Sequence, residues 1–484
     1  MLAAHVMTGF LDLLRAELPD RAIVTDPDRI APWLTDWRGR YRGRAAALVE
    51  PATTAEVAAV VRAAAATRTP VVPQGGNTGM VGGATPDEEG GAAILSLRRL
   101  HRIRSIDADA NVAVAEAGVV LQMLNDRALE RERRFPLTLG ARGSATIGGL
   151  VSTNAGGTQV LRFGTMRGLV AGVEAVLADG SVHDGLAALP KDNRGYNLDQ
   201  LLIGAEGTLG IVTAAALRLV PAVAARAVAW AGLRSPEVAM ALLRHCRSHT
   251  DRIESFEIMP AESLRAVLAH LPAARAPLAG EHPWHVLIEA TAPDLDGEAP
   301  TALLERLLSD ALEAGLADDA VVAASEAQAD AFWTIRDSIS AAERAQGPAT
   351  QHDISVPVPA MPRFMIDAAA ACEARFPGCH ASGFGHLGDG NVHFHVRAPA
   401  GVDPDRWYRD TAPEVTRFVH DLVTAAGGSI SAEHGIGQMK RDELARLLPP
   451  ARLRAMRAIK AALDPLGILN PGKLVPLAPG PDRQ

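Results

Sequence analysis

The chain reads PQGGNTGMVGG over residues 73–83, directly after a strand-like run over 69–72. Five of the nine residues from Gly75 to Gly83 are glycine. Glycine lets backbone N–H groups turn towards one point, and the lack of side chains lets an anion come close to them. The stretch therefore predicts an anion-binding loop at the end of a strand. A flexible connector is the alternative, but connectors are usually polar and this loop ends a strand.

Three further glycine clusters follow in the same half of the chain. They read LGARGSATIGG over 139–149, STNAGG over 152–157 and IGAEGTLGI over 203–211. Four such turns suit a long ligand lying across several backbone edges, so we expect a dinucleotide rather than a single phosphate. The G-x-G-x-x-G match at 383–388 runs into Asp389-Gly390 rather than a helix, which disfavours a nicotinamide site. The sequence has no G-x-x-x-x-G-K-[ST] motif, which disfavours an NTPase.

Composition restricts the class of protein. With 484 residues we expect two or three domains, and 48% hydrophobic residues are typical of a globular chain. A net charge of -8 argues against a nucleic-acid partner. Three cysteines at irregular spacing predict neither a disulfide framework nor a cysteine metal site. Residues 1–18 predict an amphipathic helix rather than a signal peptide, and no apolar run suits a membrane span, so we expect a cytoplasmic protein.

A histidine cluster lies in the second half of the chain. Asp389-Gly390 is a favoured two-residue hairpin loop, which would pair His386 with His393 and place their Cβ atoms about 4.5–5.5 Å apart on one face. His395 would share that face. Glu433-His434, in another glycine-rich turn, offers a third ligand. Imidazole and carboxylate ligands suit Zn²⁺, with Mn²⁺ or Fe²⁺ as alternatives. The competing interpretation is that these histidines cap turns and satisfy buried polar atoms.

Taken together, the motifs carry a family resemblance. PQGGNTGMVGG, LGARGSATIGGLVSTNAGG, KDNRGYNLDQLLIGAEGTLGI, GFGHLGDGNVHFHV, ISAEHGIGQMKRDEL and LDPLGILNPGKL follow one another along the chain. In this order they resemble the FAD-linked oxidases of the vanillyl-alcohol oxidase type, with a particular likeness to D-2-hydroxyglutarate and D-lactate dehydrogenases. The resemblance implies an α+β fold: an FAD-binding domain of the vanillyl-alcohol oxidase (PCMH) type and a C-terminal α+β cap domain built on an antiparallel sheet.

The predicted elements and this resemblance divide the chain. Turn-rich strands, such as one over 211–219, fill residues 46–221, with helices such as one over 54–66 between them. After residue 221, Ala-Leu helices alternate with strands. We expect an N-terminal helical segment over 1–45, the FAD-binding domain over 46–221, the cap or substrate domain over 222–425, and a segment over 426–484 that returns to the flavin site.

The resemblance also implies which residues bind FAD. Several family members attach the flavin through a histidine in the first glycine loop, where this chain has Asn77, so we expect non-covalent FAD. The predicted FAD-binding residues are Pro73, Gly75, Gly76, Asn77, Thr78, Gly79, Gly82, Gly83, Leu137, Gly140, Gly143, Ser144, Ile147, Gly148, Thr153, Asn154, Gly156, Gly157, Glu206, Gly210, Ile211 and Asn470.

For the catalytic half, the resemblance implies a metal ion on His386, His393 and Glu433, with His434 as general base. Arg336 matches the arginine that binds the substrate carboxylate. Ser340, Gln351 and His395 match other substrate positions but differ from the hydroxyglutarate enzyme, which has threonine, lysine and asparagine there. Because Gln351 replaces a positive charge, we expect a D-2-hydroxy acid other than 2-hydroxyglutarate; lactate, malate and longer aliphatic or sugar-derived acids stay open.

The predicted function is an FAD-dependent dehydrogenase that oxidises a D-2-hydroxy acid to the 2-oxo acid, with metal assistance and hydride transfer to flavin N5. Its expected partners are the small hydroxy acid and an electron acceptor such as electron-transfer flavoprotein or a quinone; a homodimer is compatible with this prediction. The alternatives are an oxidase that uses O₂ and a non-catalytic flavin-binding subunit of a larger complex.

Overall fold

Residues 2–221 form eleven strands and eight α-helices. The computed structural model describes residues 2–476 of the chain, with side chains from residue 6 onward. The strands are β1 (Ile23–Val24), β2 (Ala45–Val49), β3 (Val71–Gln74), β4 (Ala92–Ser96), β5 (Ile103–Asp107), β6 (Val112–Glu116), β7 (Arg133–Arg134), β8 (Val170–Val176), β9 (Val182–Asp184), β10 (Ile211–Arg218) and β11 (Val220–Pro221). The helices are α1 (Leu2–Glu17), α2 (Pro27–Ile30), α3 (Thr54–Thr67), α4 (Leu121–Leu129), α5 (Ile147–Thr153), α6 (Val160–Phe163), α7 (Met166–Leu169) and α8 (Leu198–Leu202).

Between residues 222 and 476 the chain forms seven further strands and ten further α-helices. The strands are β12 (Ala225–Leu233), β13 (Ile253–Pro260), β14 (Trp284–Ala292), β15 (Asp319–Val322), β16 (Ala349–Ser355), β17 (His380–His386) and β18 (Asn391–Arg397). The helices are α9 (Pro236–His249), α10 (Ala261–His270), α11 (Pro300–Glu313), α12 (Glu326–Asp337), α13 (Ile339–Ala345), α14 (Met361–Arg375), α15 (Pro404–Arg406), α16 (Ala412–Ala425), α17 (Arg441–Leu447) and α18 (Pro450–Leu463).

The chain forms two compact units. The first comprises residues 1–157, 164–221 and 433–484, and the second comprises 158–163 and 222–432. This division differs from the predicted one at two places. Residues 158–163 were assigned to the FAD-binding domain and residues 426–432 to the C-terminal segment, but both fall in the second unit. The reason for the first difference is a buried carboxylate on β13: Glu254 accepts hydrogen bonds from Gln159 Nε2 and Arg162 Nη1, each at 3.0 Å. The assignment of functions to the domains stays a prediction.

The first unit contains two main sheets. One has the order β1-β2-β4-β3, in which β2, β4 and β3 run parallel, and the other is antiparallel with the order β5-β6-β10-β8-β9. Helix α3 begins after Thr53, whose side chain accepts the backbone N–H of Glu56 at 3.1 Å, as expected of a threonine N-cap. Strand β3 is largely buried and ends at Gln74, so the first glycine loop leaves directly from the sheet.

The second unit is built on one seven-stranded antiparallel sheet. Its order is β15-β12-β14-β13-β17-β18-β16. Successive side chains of a strand point to opposite faces. On β18, Val392, Phe394 and Val396 enter the core formed with α9, α11, α14 and α16, so the side chains of His393 and His395 lie on the opposite face. The predicted cap fold on an antiparallel sheet is therefore confirmed.

No helix within the described part of the chain is both long and apolar enough to cross a membrane.

Candidate active site

The first glycine loop is held close to the second. A Cβ atom on Gly76 would lie 2.0 Å from the carbonyl oxygen of Ser144, and one on Gly75 would lie 2.2 Å from Thr146 Oγ1. Both positions therefore require glycine for steric reasons. Asn77 has a positive φ of 54°, and its side-chain amide donates to the carbonyl of Thr35 at 2.9 Å. Two glycine-rich segments that are far apart in sequence thus form one backbone surface.

The third and fourth clusters join the same surface. A Cβ atom on Gly157 would meet the carbonyl oxygen of Thr138 at 2.0 Å, and one on Gly207 would meet Pro73 Cγ at 2.5 Å. Asn470 Nδ2 donates to the carbonyl oxygen of Gly83 at 2.9 Å. The structure therefore brings together the four glycine clusters and Asn470, as the sequence predicted for a dinucleotide site.

Other predicted FAD residues lie along these loops or just beneath them. Leu137, Ile147 and Ile211 are buried, with exposed fractions of 3%, 0% and 1%, so their side chains belong to the core. Gly210 is likewise packed, because a Cβ there would lie 2.8 Å from Leu202. The remaining predicted positions lie in the loops themselves or in α5: Thr78, Gly79, Gly82, Gly140, Gly143, Gly148, Thr153, Asn154 and Gly156.

These loops fit FAD by two observations. Gly79, Gly140 and Gly143 have no atom within 4 Å of where a Cβ would lie, which leaves room for close approach to their backbone. Within the described residues, Gln74 Oε1 and Thr146 Oγ1 are buried without a hydrogen-bond partner. Buried polar atoms normally have partners, so these two acceptors beside the loops fit a site that binds a ligand with hydrogen-bond donors.

The side chain of Glu206 is hydrogen-bonded within the first unit, and its predicted contact with FAD stays a prediction. It is 7% exposed and has a positive φ of 52°. Its Oε1 accepts the backbone N–H of Ile436 and its Oε2 accepts that of Gly437, each at 2.7 Å. Both carboxylate oxygens therefore face the C-terminal segment, which the sequence did not reveal.

The histidine hairpin forms, but its predicted register is wrong. His386 pairs with Asn391, and His393 pairs with Phe384, so the loop has four residues instead of two. The reason is Leu387: its side chain is fully buried and its N–H donates to the carbonyl of Phe256 on β13 at 3.0 Å. A shift of two residues leaves every side chain on its face. His386 and His393 are consequently diagonal neighbours, with ring centroids 5.5 Å apart and ring nitrogens within 4.8 Å.

A buried carboxylate orients His386. Glu257 lies directly opposite on β13, and its Oε1 is 2.7 Å from His386 Nδ1. Burial opposes ionisation of Glu257, but the charges and hydrogen bonds of Arg336 and His386 hold the pKa of this carboxyl below its usual value. The carboxylate accepts the Nδ1 proton and so fixes the tautomer and the orientation of the ring, as is common for metal-binding histidines. Sequence reasoning missed Glu257; an acidic residue within the apolar strand IESFEIMP was the available signal.

Arg336 is held by the same carboxylate. Its Nε donates to Glu257 Oε2 at 2.7 Å, and its Nη2 lies 3.3 Å from both ring nitrogens of His386. The side chain is 12% exposed. Part of the Arg336 guanidinium is thus hydrogen-bonded to Glu257. The sequence predicted instead that this group forms paired hydrogen bonds with a substrate carboxylate. That substrate role stays a prediction.

Two further polar residues border the histidines. Asp353 on β16 is 3% exposed and pairs with His393 in the sheet register. The side-chain amide of Asn391 donates to Asp353 Oδ1 at 3.0 Å. Neither residue was identified from the sequence, since a single Asp and Asn in separate strands carry no spacing signal.

The positions that differ from the hydroxyglutarate pattern are neighbours. Gln351 on β16 and His395 on β18 are direct cross-strand partners. His395 Nδ1 is hydrogen-bonded to Glu343 of α13, and Ser263 Oγ donates to the other oxygen of that carboxylate at 2.9 Å. Ser340 lies in the first turn of α13 and is half-buried. The side chain of His395 is therefore hydrogen-bonded to another residue of the protein.

Glu433 and His434 lie in the first unit, in a half-buried turn. Just before them, the backbone N–H of Ala432 lies 3.4 Å from the carbonyl oxygen of Asp353 within the second unit. Since Asp353 is the sheet partner of His393, the last residue before Glu433 lies at the edge of the histidine-bearing face.

These loops and the antiparallel cap define a class, the PCMH-type flavoenzymes. Comparison with solved structures supports the fold. p-Cresol methylhydroxylase with substrate bound gives a TM-score of 0.73 at 17% identity over 97% of both chains. 4-Ethylphenol oxidase from Gulosibacter chungangensis gives 0.68 at 18% identity over 98% of both chains.

The family follows from sequence. The FAD binding domain model matches residues 45–185, and the model of FAD linked oxidases, C-terminal domain, matches residues 223–474. The chain belongs to the FAD-linked oxidase family and is an FAD-dependent oxidoreductase. It is 39% identical to the mitochondrial D-2-hydroxyglutarate dehydrogenase of Bos taurus over 96% of this chain and 83% of that protein. It is 36% identical to the D-2-hydroxyglutarate dehydrogenase of Xanthomonas citri over 95% and 96%. Because some relatives are named mitochondrial, the cytoplasmic assignment stays a prediction.

Proposed function

We propose that this protein oxidises a D-2-hydroxy acid to the corresponding 2-oxo acid, with non-covalent FAD as electron acceptor and a divalent metal ion, Zn²⁺ in the first place, at the alcohol oxygen. The observation that carries the proposal is that His386, buried beside Glu257, and the half-buried His393 lie next to each other on one face of the cap sheet. The relatives named D-2-hydroxyglutarate dehydrogenase support the reaction type.

The proposed metal ligands are His386, His393 and Glu433. The two imidazoles have nitrogens within 4.8 Å of each other, and the Glu257 carboxylate fixes the ring of His386. Glu433 directly follows Ala432, whose backbone N–H is hydrogen-bonded to the carbonyl of Asp353, the sheet partner of His393. Two histidines and a carboxylate are a donor set that zinc enzymes use, and three protein ligands leave a position for substrate.

In the proposed reaction, His434 takes the proton of the substrate hydroxyl, since an imidazole can accept a proton near neutral pH. Arg336 attracts the substrate carboxylate and holds the 2-carbon in place. A metal ion held by His386, His393 and Glu433 would lower the pKa of the hydroxyl, and FAD held by the glycine loops would supply a hydride acceptor at N5. The buried carboxylate of Glu257 keeps both Arg336 and His386 in position.

The direct test is anaerobic bleaching of the flavin. The purified protein is mixed with a panel of 2-hydroxy acids, both enantiomers of each, with and without a chelator. We expect the flavin absorbance to fall with at least one D-acid and the chelator to slow that reaction strongly. A flavin that no acid bleaches contradicts the proposal, and bleaching that is indifferent to metal removal contradicts the metal site. Release of peroxide in air would assign the reaction to an oxidase.

The substitution Gln351→Lys tests the substrate side of the site. We expect kcat/KM for D-2-hydroxyglutarate to rise about tenfold relative to D-lactate, because a hydrogen bond to a charged group contributes about 1.5–3 kcal/mol and each 1.36 kcal/mol is tenfold. Steady-state kinetics on both acids measures this ratio. Gln351→Met, which changes the side chain without adding charge, is the matched control. An unchanged ratio in the lysine variant would show that this position does not contact the distal carboxylate.

A further inference from the structure

The backbone that follows Glu433 and His434 is hydrogen-bonded to one carboxylate, that of Glu206. Glu206 accepts the backbone N–H groups of Ile436 and Gly437, two and three residues after His434, each at 2.7 Å. Gly435 is also close, because a Cβ there would lie 2.9 Å from Glu206 Oε1. A carboxylate that accepts two adjacent N–H groups fixes both the position and the orientation of that backbone.

The backbone of Glu206 is itself fixed at two points. Its N–H donates to the carbonyl of Ser152 in α5 at 2.8 Å. Its carbonyl accepts Asn470 Nδ2 at 2.7 Å, and the same amide nitrogen donates to Gly83 in the first glycine loop. The carboxylate therefore has little freedom to turn towards another partner.

Gln438 and Met439, at the end of this turn, are hydrogen-bonded to the first glycine loop. The N–H groups of Gln438 and Met439 both lie 3.2 Å from the carbonyl oxygen of Val81. Gln438 Nε2 donates to the carbonyl of Gly82 at 2.9 Å. The turn and the loop thus form one hydrogen-bonded body within the first unit.

The two acceptor oxygens of Glu206 matter to this arrangement. Burial raises the pKa of its carboxyl, and the two backbone N–H donors and the ammonium groups of Lys440 and Lys473 oppose that shift. An amide of the same shape would place an NH₂ group against a backbone N–H, so one of the two hydrogen bonds would be replaced by a repulsive contact.

We propose that Glu206 is the positioning residue for Glu433 and His434, and that through it the first glycine loop, where FAD is expected, controls how firmly the turn holds its metal ligand and base. This inference rests on the proposed function for the roles of those two residues. The structural links themselves lie wholly within residues of the first unit.

The experiment compares Glu206→Gln with Asp464→Asn in the FAD-loaded protein. Asp464 is the matched control: its carboxylate is 2% exposed and accepts the N–H groups of Ile468 and Leu469 at 3.1 and 2.9 Å. FAD content, melting temperature, kcat, KM and the rate at which a chelator removes Zn²⁺ are measured for each variant. For Glu206→Gln we expect full FAD content, a kcat about 10–100-fold lower, a KM within about threefold, and at least about tenfold faster metal loss, as for other residues that orient metal ligands.

Asp464→Asn is expected to lower the melting temperature but to keep wild-type kcat and metal retention. If Glu206→Gln has the wild-type kcat and loses metal at the wild-type rate, the inference is overturned. Equal changes of kcat and of the rate of metal loss in the two variants overturn it as well. If Glu206→Gln does not fold, Gln438→Met removes only the bond to Gly82 and should still accelerate metal loss; an unchanged rate there overturns the inference as well. Failure of the proposed function is distinct, because then wild-type protein itself neither retains metal nor reacts with a hydroxy acid.

Discussion

Replacing His386 with alanine is expected to lower kcat/KM about a thousandfold or more while FAD stays bound. The substitution removes a proposed metal ligand, and a metal ion that stabilises the developing alkoxide contributes several kcal/mol to catalysis. Since each 1.36 kcal/mol corresponds to a factor of ten, a loss of about 4 kcal/mol gives this reduction. Steady-state kinetics, the Zn²⁺ content and the flavin spectrum of the same preparation provide the measurement.

The control for this variant is His380→Ala. His380 lies on the same strand and face as His386, but it is more exposed and pairs with Glu262 and Glu373. Its replacement should leave kcat/KM and metal content unchanged. Full activity of His386→Ala, or equal losses in the two variants, would remove the metal site from the mechanism.

The substitution His434→Gln is expected to reduce kcat by about 10²–10⁴, the range that a general base contributes. Glutamine keeps the size and polarity of the side chain but cannot accept the hydroxyl proton. Zn²⁺ and FAD contents should stay at wild-type values, which separates this defect from that of His386→Ala. Pre-steady-state bleaching of the flavin measures the chemical step directly.

His183→Gln is the comparison for that variant. His183 is another partly buried histidine of the first unit, with Nε2 2.9 Å from Asp199 Oδ1. The same chemical change at this position should leave kcat as it is. A His434→Gln protein that bleaches at the wild-type rate would assign proton removal to another group.

Much of the fold follows from local sequence signals. The pattern predicted a helix over 54–66 and a strand over 211–219, and the structure has Thr54–Thr67 and Ile211–Arg218. The prediction succeeded because glycine turns and an N-cap threonine mark these boundaries in the sequence itself. The glycine clusters were also sufficient to predict that their backbones converge.

The hairpin register required information that the sequence does not contain locally. Asp389-Gly390 favoured a two-residue turn, but the burial of Leu387 against the rest of the cap decided for a longer loop. The predicted proximity of His386 and His393 survived because the register differed by an even number of residues.

The charged environment of the site could not be predicted. Glu257 contacts His386 and Arg336 over sequence separations of 129 and 79 residues, and Glu206 reaches Ile436 over 230 residues. Such pairs arise from sheet order and chain packing, which no short motif encodes. The sequence therefore indicated most of the proposed reacting groups but not the carboxylates that hold them.

The path of the chain through residues 158–163 affects how the second unit can be prepared in isolation. Arg162 and Gln159 supply two of the partners of the fully buried Glu254 carboxylate. A recombinant fragment that begins at residue 222 would lack both, and a buried carboxylate that loses its cationic partner, here Arg162, costs several kcal/mol. An excised second unit therefore needs the hexapeptide spliced back through a linker, or Glu254 replaced by an uncharged residue, before it can be expected to be expressed as a stable domain.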